Sequence, residues 1–204
     1  MPKREYQSPL RRQQTEDTKR RIREAAAGLF SDVGFGSATV ARIAEQAGVS
    51  QATVYSNFES KAGIVAAMLE EMEEAAGMPQ RIEAMLAESD PRMALSLFVE
   101  GNRTVFEMGH GLLRVAVGAK ADPAVDALMR AGDANRRIGT DTMVGVWHRA
   151  GALRAGLSRE RASQSMWLLT SVEQYLTATD LLGWTPAKYE GWLGELLGRE
   201  LLEP

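Results

Sequence analysis

The sequence has no cysteine and only two histidines, His110 and His148. The first absence excludes disulfide staples, thiolate metal sites, cysteine nucleophiles and thiol-based redox sensing. The second leaves little material for a zinc site or a Ser-His-Asp triad. A phosphate-cradling loop is missing too, because Gly34-Phe35-Gly36-Ser37 is short and follows no strand pattern. These gaps argue against an enzyme, and no catalytic residue, metal ligand or cofactor is assigned. No apolar run approaches the roughly 18 residues that a membrane helix needs. Residues 1–12 are polar and basic, unlike a secretory signal, so a cytoplasmic location is expected. Period-two alternation, internal repeats and low-complexity tracts are absent as well.

What remains is an ordinary globular composition with an uneven charge. The net charge is −3 over 204 residues. Residues 1–61 carry ten basic and seven acidic side chains, whereas the rest carries 14 and 20. Within the first 23 residues the tally is eight to three. A basic head on an acidic body suits a polyanion partner for the head alone.

Helical periodicity runs through almost the whole chain. Residues 1–14 have no hydrophobic period and read as a disordered basic arm, whose Arg4, Arg11 and Arg12 either enter a minor groove or stay solvated. From Thr15, the residues Ile22, Ala25, Ala26, Leu29, Phe30 and Val33 recur every three or four positions. Thr39, Ser50 and Ser60 then read as N-caps of three further short helices. Beyond Gly77, Asp90-Pro91, Asp122-Pro123 and Thr185-Pro186 pair a cap with a proline at the first helical position, and Ser158 is a fourth cap. The predicted helices lie near 79–88, 91–108, 110–120, 122–150, 158–182 and 186–202. The fold class is therefore all-α, with a head over 15–76 and a body over 77–204.

Residues 39–55 concentrate the functional signal. Ala44 and Ala47 let two short helices approach closely, Gly48 permits a sharp left-handed turn, Val49 plugs the gap and Ser50 restarts the helix. This is the plan of a helix-turn-helix, whose second helix enters the DNA major groove. On that helix Gln51, Thr53, Ser56 and Asn57 are suited to hydrogen-bond bases or phosphates, and Ala52 to approach a thymine methyl. Tyr55 offers a hydroxyl to a phosphate, and Lys61 a charge beside the N-terminus of the next helix.

The run Thr-Val-x-x-Ile-Ala-x-x-Ala-Gly-Val-Ser from Thr39, followed by Thr-Val-Tyr-x-x-Phe-x-x-Lys from Thr53, resembles the DNA-binding domain of the tetracycline-repressor (TetR) family. The specific likeness covers roughly residues 15–70, and the tail from Gly183 to Leu193 is similar to some members. The resemblance implies a three-helix DNA-binding domain, a helical ligand-binding and dimerisation body, and a homodimer with recognition helices in successive major grooves. It also implies phosphate roles for Thr39, Tyr55 and Lys61, and base readout by Gln51, Ala52, Thr53 and Ser56.

In the body, Tyr189, Trp192, Leu193, Leu196 and Leu197 share one stripe of the last helix, and Met166 and Leu176 follow helical spacing before it. These are the candidate dimer residues, although periodicity does not separate an interface from intrachain core. Phe106, Met108, His110, Met143, Trp147, Trp167 and Tyr175 are the candidate effector-pocket residues, with core again the competing reading. Glu173 is placed at the pocket or across the dimer. The expected function is a repressor released from a palindromic operator by a small, largely apolar effector. An architectural DNA binder without ligand sensing, or a small helical enzyme, are the alternatives.

Overall fold

Each capping residue read from the sequence starts a helix. The computed structural model describes residues 9–202, and among these every regular element is helical. In chain order they are α1 (Pro9–Ser37), α2 (Val40–Ala47), α3 (Gln51–Phe58), α4 (Lys61–Ala75), α5 (Met78–Ala87), α6 (Pro91–Met108), α7 (His110–Gly118), α8 (Pro123–Arg149), α9 (Arg159–Leu169), α10 (Val172–Leu176) and α11 (Pro186–Leu201), with a π-helical turn (Thr177–Leu181) after α10. The side chains of Thr39, Ser50, Ser60, Asp90, Asp122, Ser158 and Thr185 all accept a backbone N–H from the first turn they precede. Each such cap satisfies a donor that the helix leaves without a partner.

Three expectations change. Residues 9–14 lie in α1 rather than in a disordered arm, while residues 1–8, including Arg4, fall outside the described residues. This stretch shows no helical apolar period, and local contacts run through it and the turns that follow. Thr15 and Thr18 donate to the carbonyls of Arg11 and Gln14, and Lys19–Glu16, Arg20–Asp17 and Arg20–Glu24 pair at helical spacing. Second, the helix run of α1 extends past Gly34, but Gly34 breaks it with φ 77° and ψ 160°. Third, the expected helix 158–182 is interrupted at Thr170, because the Ser171 hydroxyl accepts from the Gln174 amide and starts α10.

Two apolar cores result. The body core joins Leu95, Val99, Phe106, Met143, Trp147, Met166, Tyr175, Tyr189, Leu193 and Leu197, with α11 laid along α6. The head core gathers Ile22, Leu29, Phe30, Ile43, Val54, Phe58, Ile64 and Val65, yet it also takes in Ala116 of α7, Ala119 just past its end, and Val125 and Met129 of α8. The head core therefore crosses the boundary expected near Gly77. A backbone hydrogen bond from Arg154 to Leu201 (2.9 Å) and an isolated bridge between Leu153 and Leu202 fasten the end of α11.

Candidate nucleic-acid interface

The turn between α2 and α3 follows from a few residues. Ile43, Ala44 and Ala47 bury one side of α2. Gly48 takes a left-handed conformation, φ 64° and ψ 40°, and its N–H closes on the Ala44 and Glu45 carbonyls. A side chain is strained in that region, and glycine is not. Val49 N donates to Ala44 O at 3.0 Å, and Ser50 then caps α3 by accepting from the Thr53 amide at 3.1 Å. Val54 and Phe58 anchor α3 into the head core, so its opposite side faces outward.

That outward side carries Gln51, Ala52, Tyr55 and Ser56, all exposed, with Tyr55 at 50%. Thr53 and Asn57 are only half exposed and turn back on the helix. Thr53 Oγ1 lies 2.8 Å from Ser50 Oγ, and Asn57 Nδ2 donates to Thr53 O at 2.7 Å. Ser56 Oγ also donates to Thr53 O, at 3.0 Å. The exposed set of α3 is thus narrower than the sequence-based one. Thr39 is exposed, and its hydroxyl is engaged as the α2 cap with the Arg42 amide. Arg42 itself is exposed in the first turn of α2, a cation that the motif reading passed over.

Lys61 sits differently from its expected phosphate role. Its Nζ donates to Phe35 O at 2.5 Å and to Ala38 O at 2.8 Å, and lies 4.1 Å from the centre of the Phe35 ring. Burial pushes its pKa below the usual lysine range, against the pull of Asp122. The ammonium ties the α1–α2 corner to α4, a bracing role that stands beside the phosphate contact expected from the sequence.

In the body, Phe106, Met143, Trp147 and Tyr175 meet in one buried core, whereas Met108 is exposed and separate from it. The ring of Trp167 lies under the Arg136 guanidinium at 5.0 Å, and its N–H donates to Asp133 O at 3.3 Å. His110 Nε2 is 2.7 Å from Asp180 Oδ1, while Arg114 Nε holds the other oxygen at 3.2 Å. Glu173 pairs with Lys120 at 2.5 Å and stays exposed. Of the dimer candidates, Met166, Tyr189, Leu193 and Leu197 are fully buried within the monomer, because their face of α9 and α11 packs on the chain itself. Leu176, Trp192 and Leu196 are half-buried. Leu168, Leu181, Leu182 and Ile138 stand exposed at 58–79%, and of these only Leu182 falls on the helical spacing that runs from Met166.

No helix among the described residues is long and apolar enough to cross a membrane, and no cluster of metal-ligating side chains occurs among them. Residues 22–68 match the family described as bacterial regulatory proteins, tetR family. A curated relative, an uncharacterised HTH-type transcriptional regulator of Bacillus subtilis (YvkB), is 44% identical over 52 residues, which is 26% of this chain and 28% of that protein. Among solved structures, NalD, the secondary repressor of a multidrug efflux pump in Pseudomonas aeruginosa, superposes with a TM-score of 0.72 at 21% identity, covering 94% of this chain and 98% of its own. A transcriptional regulator from Saccharomonospora viridis, solved with choline, gives 0.71 at 18% identity over 93% and 100%. The likeness to these structures is one of fold. Residues 22–68 thus match the tetR family of bacterial regulatory proteins, and the chain as a whole shares the all-helical fold of these solved regulators.

Proposed function

We propose that the protein is a homodimeric transcriptional repressor that holds a palindromic operator and releases it when a small effector enters the body. The observation that carries this reading is the outward side of α3, where Gln51, Ala52, Tyr55 and Ser56 stand clear of a helix held from behind by Val54 and Phe58. A helix so mounted fits a major groove. Leu168 on α9, Ile138 on α8 and Leu181 and Leu182 after α10 supply exposed apolar area for a two-fold contact, and Leu176, Trp192 and Leu196 are half-buried. That surface replaces the buried stripe of α11 as the dimerisation face.

The coupling route is the seam between head and body, where α1 and α4 pack on α7. An effector that prefers a body with α7 displaced shifts the population away from the DNA-competent arrangement. Turning a 1:99 balance into 99:1 takes about 5.5 kcal/mol of differential binding, so the effector is largely buried. The choline complex of the Saccharomonospora viridis regulator supports a small-molecule effector for this fold.

Selection of bound sequences from a random duplex library, at two salt concentrations, tests the reading. An enriched palindrome is expected. Salt-sensitive binding without any enriched sequence refutes the operator-specific repressor and leaves an architectural DNA binder.

A further inference from the structure

The body core holds two buried polar atoms that no protein group among the described residues satisfies: Asn102 Oδ1 on α6 and Tyr189 Oη on α11. Thr170 and Arg136 link their surroundings: Asn102 Nδ2 donates to Thr170 O at 3.3 Å, Arg136 on α8 donates to Thr170 Oγ1 at 3.2 Å, and the Arg136 charge acts on the Tyr189 phenol. A carbonyl only accepts, so the Asn102 amide cannot turn around, and its oxygen is the atom left over. Burial raises the Tyr189 phenol well above its ordinary pKa, with the Arg136 charge pulling the other way. The phenol is therefore neutral and keeps its proton. Rings wall the place: Phe106 to Tyr175, Tyr175 to Tyr189 and Tyr189 to Trp192 are 5.4, 5.2 and 6.0 Å apart between centres.

Interiors rarely leave two such atoms unpaired in one core, because each has given up water for nothing. Oδ1 requires a donor, whereas the phenol can donate and accept. A hydroxyl set between them would meet both needs, donating to Asn102 and accepting from Tyr189. A carboxylate has no proton for Oδ1. An ammonium has no lone pair for the phenol proton and would face the charge of Arg136. The surrounding rings favour an aromatic carrier.

We propose that the effector bears a hydroxyl on an aromatic skeleton, a phenol or aryl alcohol, received between Asn102 and Tyr189; this rests on the ligand-released reading above. Calorimetric titration of the full chain with 4-ethylphenol, 4-ethyltoluene and 4-ethylbenzylammonium tests it. The phenol is expected to bind at least about tenfold tighter than either analogue, since a site built around a hydroxyl rejects isosteres that lack it. In Asn102→Leu and Tyr189→Phe, each checked by circular dichroism for native helicity, the preference should collapse to about twofold or less by the same reasoning. Tyr189→Phe keeps the ring, so a folded variant is available even if Asn102→Leu is not. Equal binding of the three probes, no binding of any, or a preference that survives both substitutions overturns the proposal. Release of the operator by another compound, with the phenol inert, would sink the hydroxyl assignment and spare the ligand-released reading. Tight phenol binding without any operator release would do the reverse.

Discussion

Lys61→Met separates two roles that the sequence motif leaves merged. If Lys61 braced nothing and met only phosphate, its loss would leave the free protein intact and lower the salt slope of DNA binding by about one. The structure puts its ammonium on the carbonyls of Phe35 and Ala38, residues that are 6% and 1% exposed. Stranding two such acceptors costs about 1–3 kcal/mol each, toward the low end because Lys61 itself is only half-buried. Loss of the contact over the Phe35 ring adds about 0.5–1 kcal/mol. A total near 2–4 kcal/mol corresponds to a melting temperature lower by roughly 5–15 °C for a chain of this size. Thermal unfolding followed by circular dichroism reads the first quantity. Anisotropy of a labelled operator at four or five salt concentrations reads the second. The expected result is a clear fall in stability, with any change in the salt slope reporting the phosphate contact separately. An unshifted melt together with a slope reduced by about one would refute the bracing role and leave only the phosphate contact.

Alkaline pH should expose the buried phenols. Tyr189 and Tyr175 have pKa values raised by burial, so the unfolded chain loses these protons above about pH 10 while the folded one keeps them. Stability then falls with rising pH by about 1.4 kcal/mol per unit for each such group, and urea melts at pH 9 and 11 should show a smaller loss in Tyr189→Phe; an identical loss refutes the assignment. Glu59 ends α3 at φ 60° and ψ −38°, a strained region for a side chain, and it is exposed. Glu59→Gly should therefore stabilise by about 1 kcal/mol in chemical denaturation, and a destabilised variant would contradict the strain. Leu168→Asp and Leu181→Asp alter residues that stand 58% and 79% exposed, so monomer folding should be kept while sedimentation equilibrium shifts toward monomer. An unshifted equilibrium would place the dimer face elsewhere.

What could be read from the sequence was whatever is decided within four or five residues. Thr39, Ser50, Ser60, Asp90, Asp122, Ser158 and Thr185 announce their helices because a cap is a contact between a side chain and its own next turn. Gly48 and the small residues before it are local in the same sense, which is why the helix-turn-helix was legible. Ser171 was missed because the apolar period of Met166, Leu169, Val172 and Leu176 runs straight across it. The stripe on α11 shows which side is apolar and not what covers it, so α6 rather than a second copy took Tyr189, Leu193 and Leu197. Lys61 illustrates the same limit: its spacing marks a cation near the N-terminus of α4, but the carbonyls that claim it lie 23 and 26 residues upstream. Residues 9–14 carry no helical apolar period, and the Thr15 and Thr18 hydroxyls that bond the Arg11 and Gln14 carbonyls are contacts that periodicity does not register.

The sharing of Ala116, Ala119, Val125 and Met129 with the head core bears on how such a chain can be recombined. A DNA reader that closed over its own interior could be moved from one sensor to another by joining at a linker. Here a cut at Gly77 would strip the underside of α1 and α4 of the small and apolar residues that seal it, and leave a matching bare strip on the sensor. A viable chimaera therefore has to carry the seam of α7 and the start of α8 along with the reader. Substitution within each half is then a more accessible route to altered binding than exchange of halves.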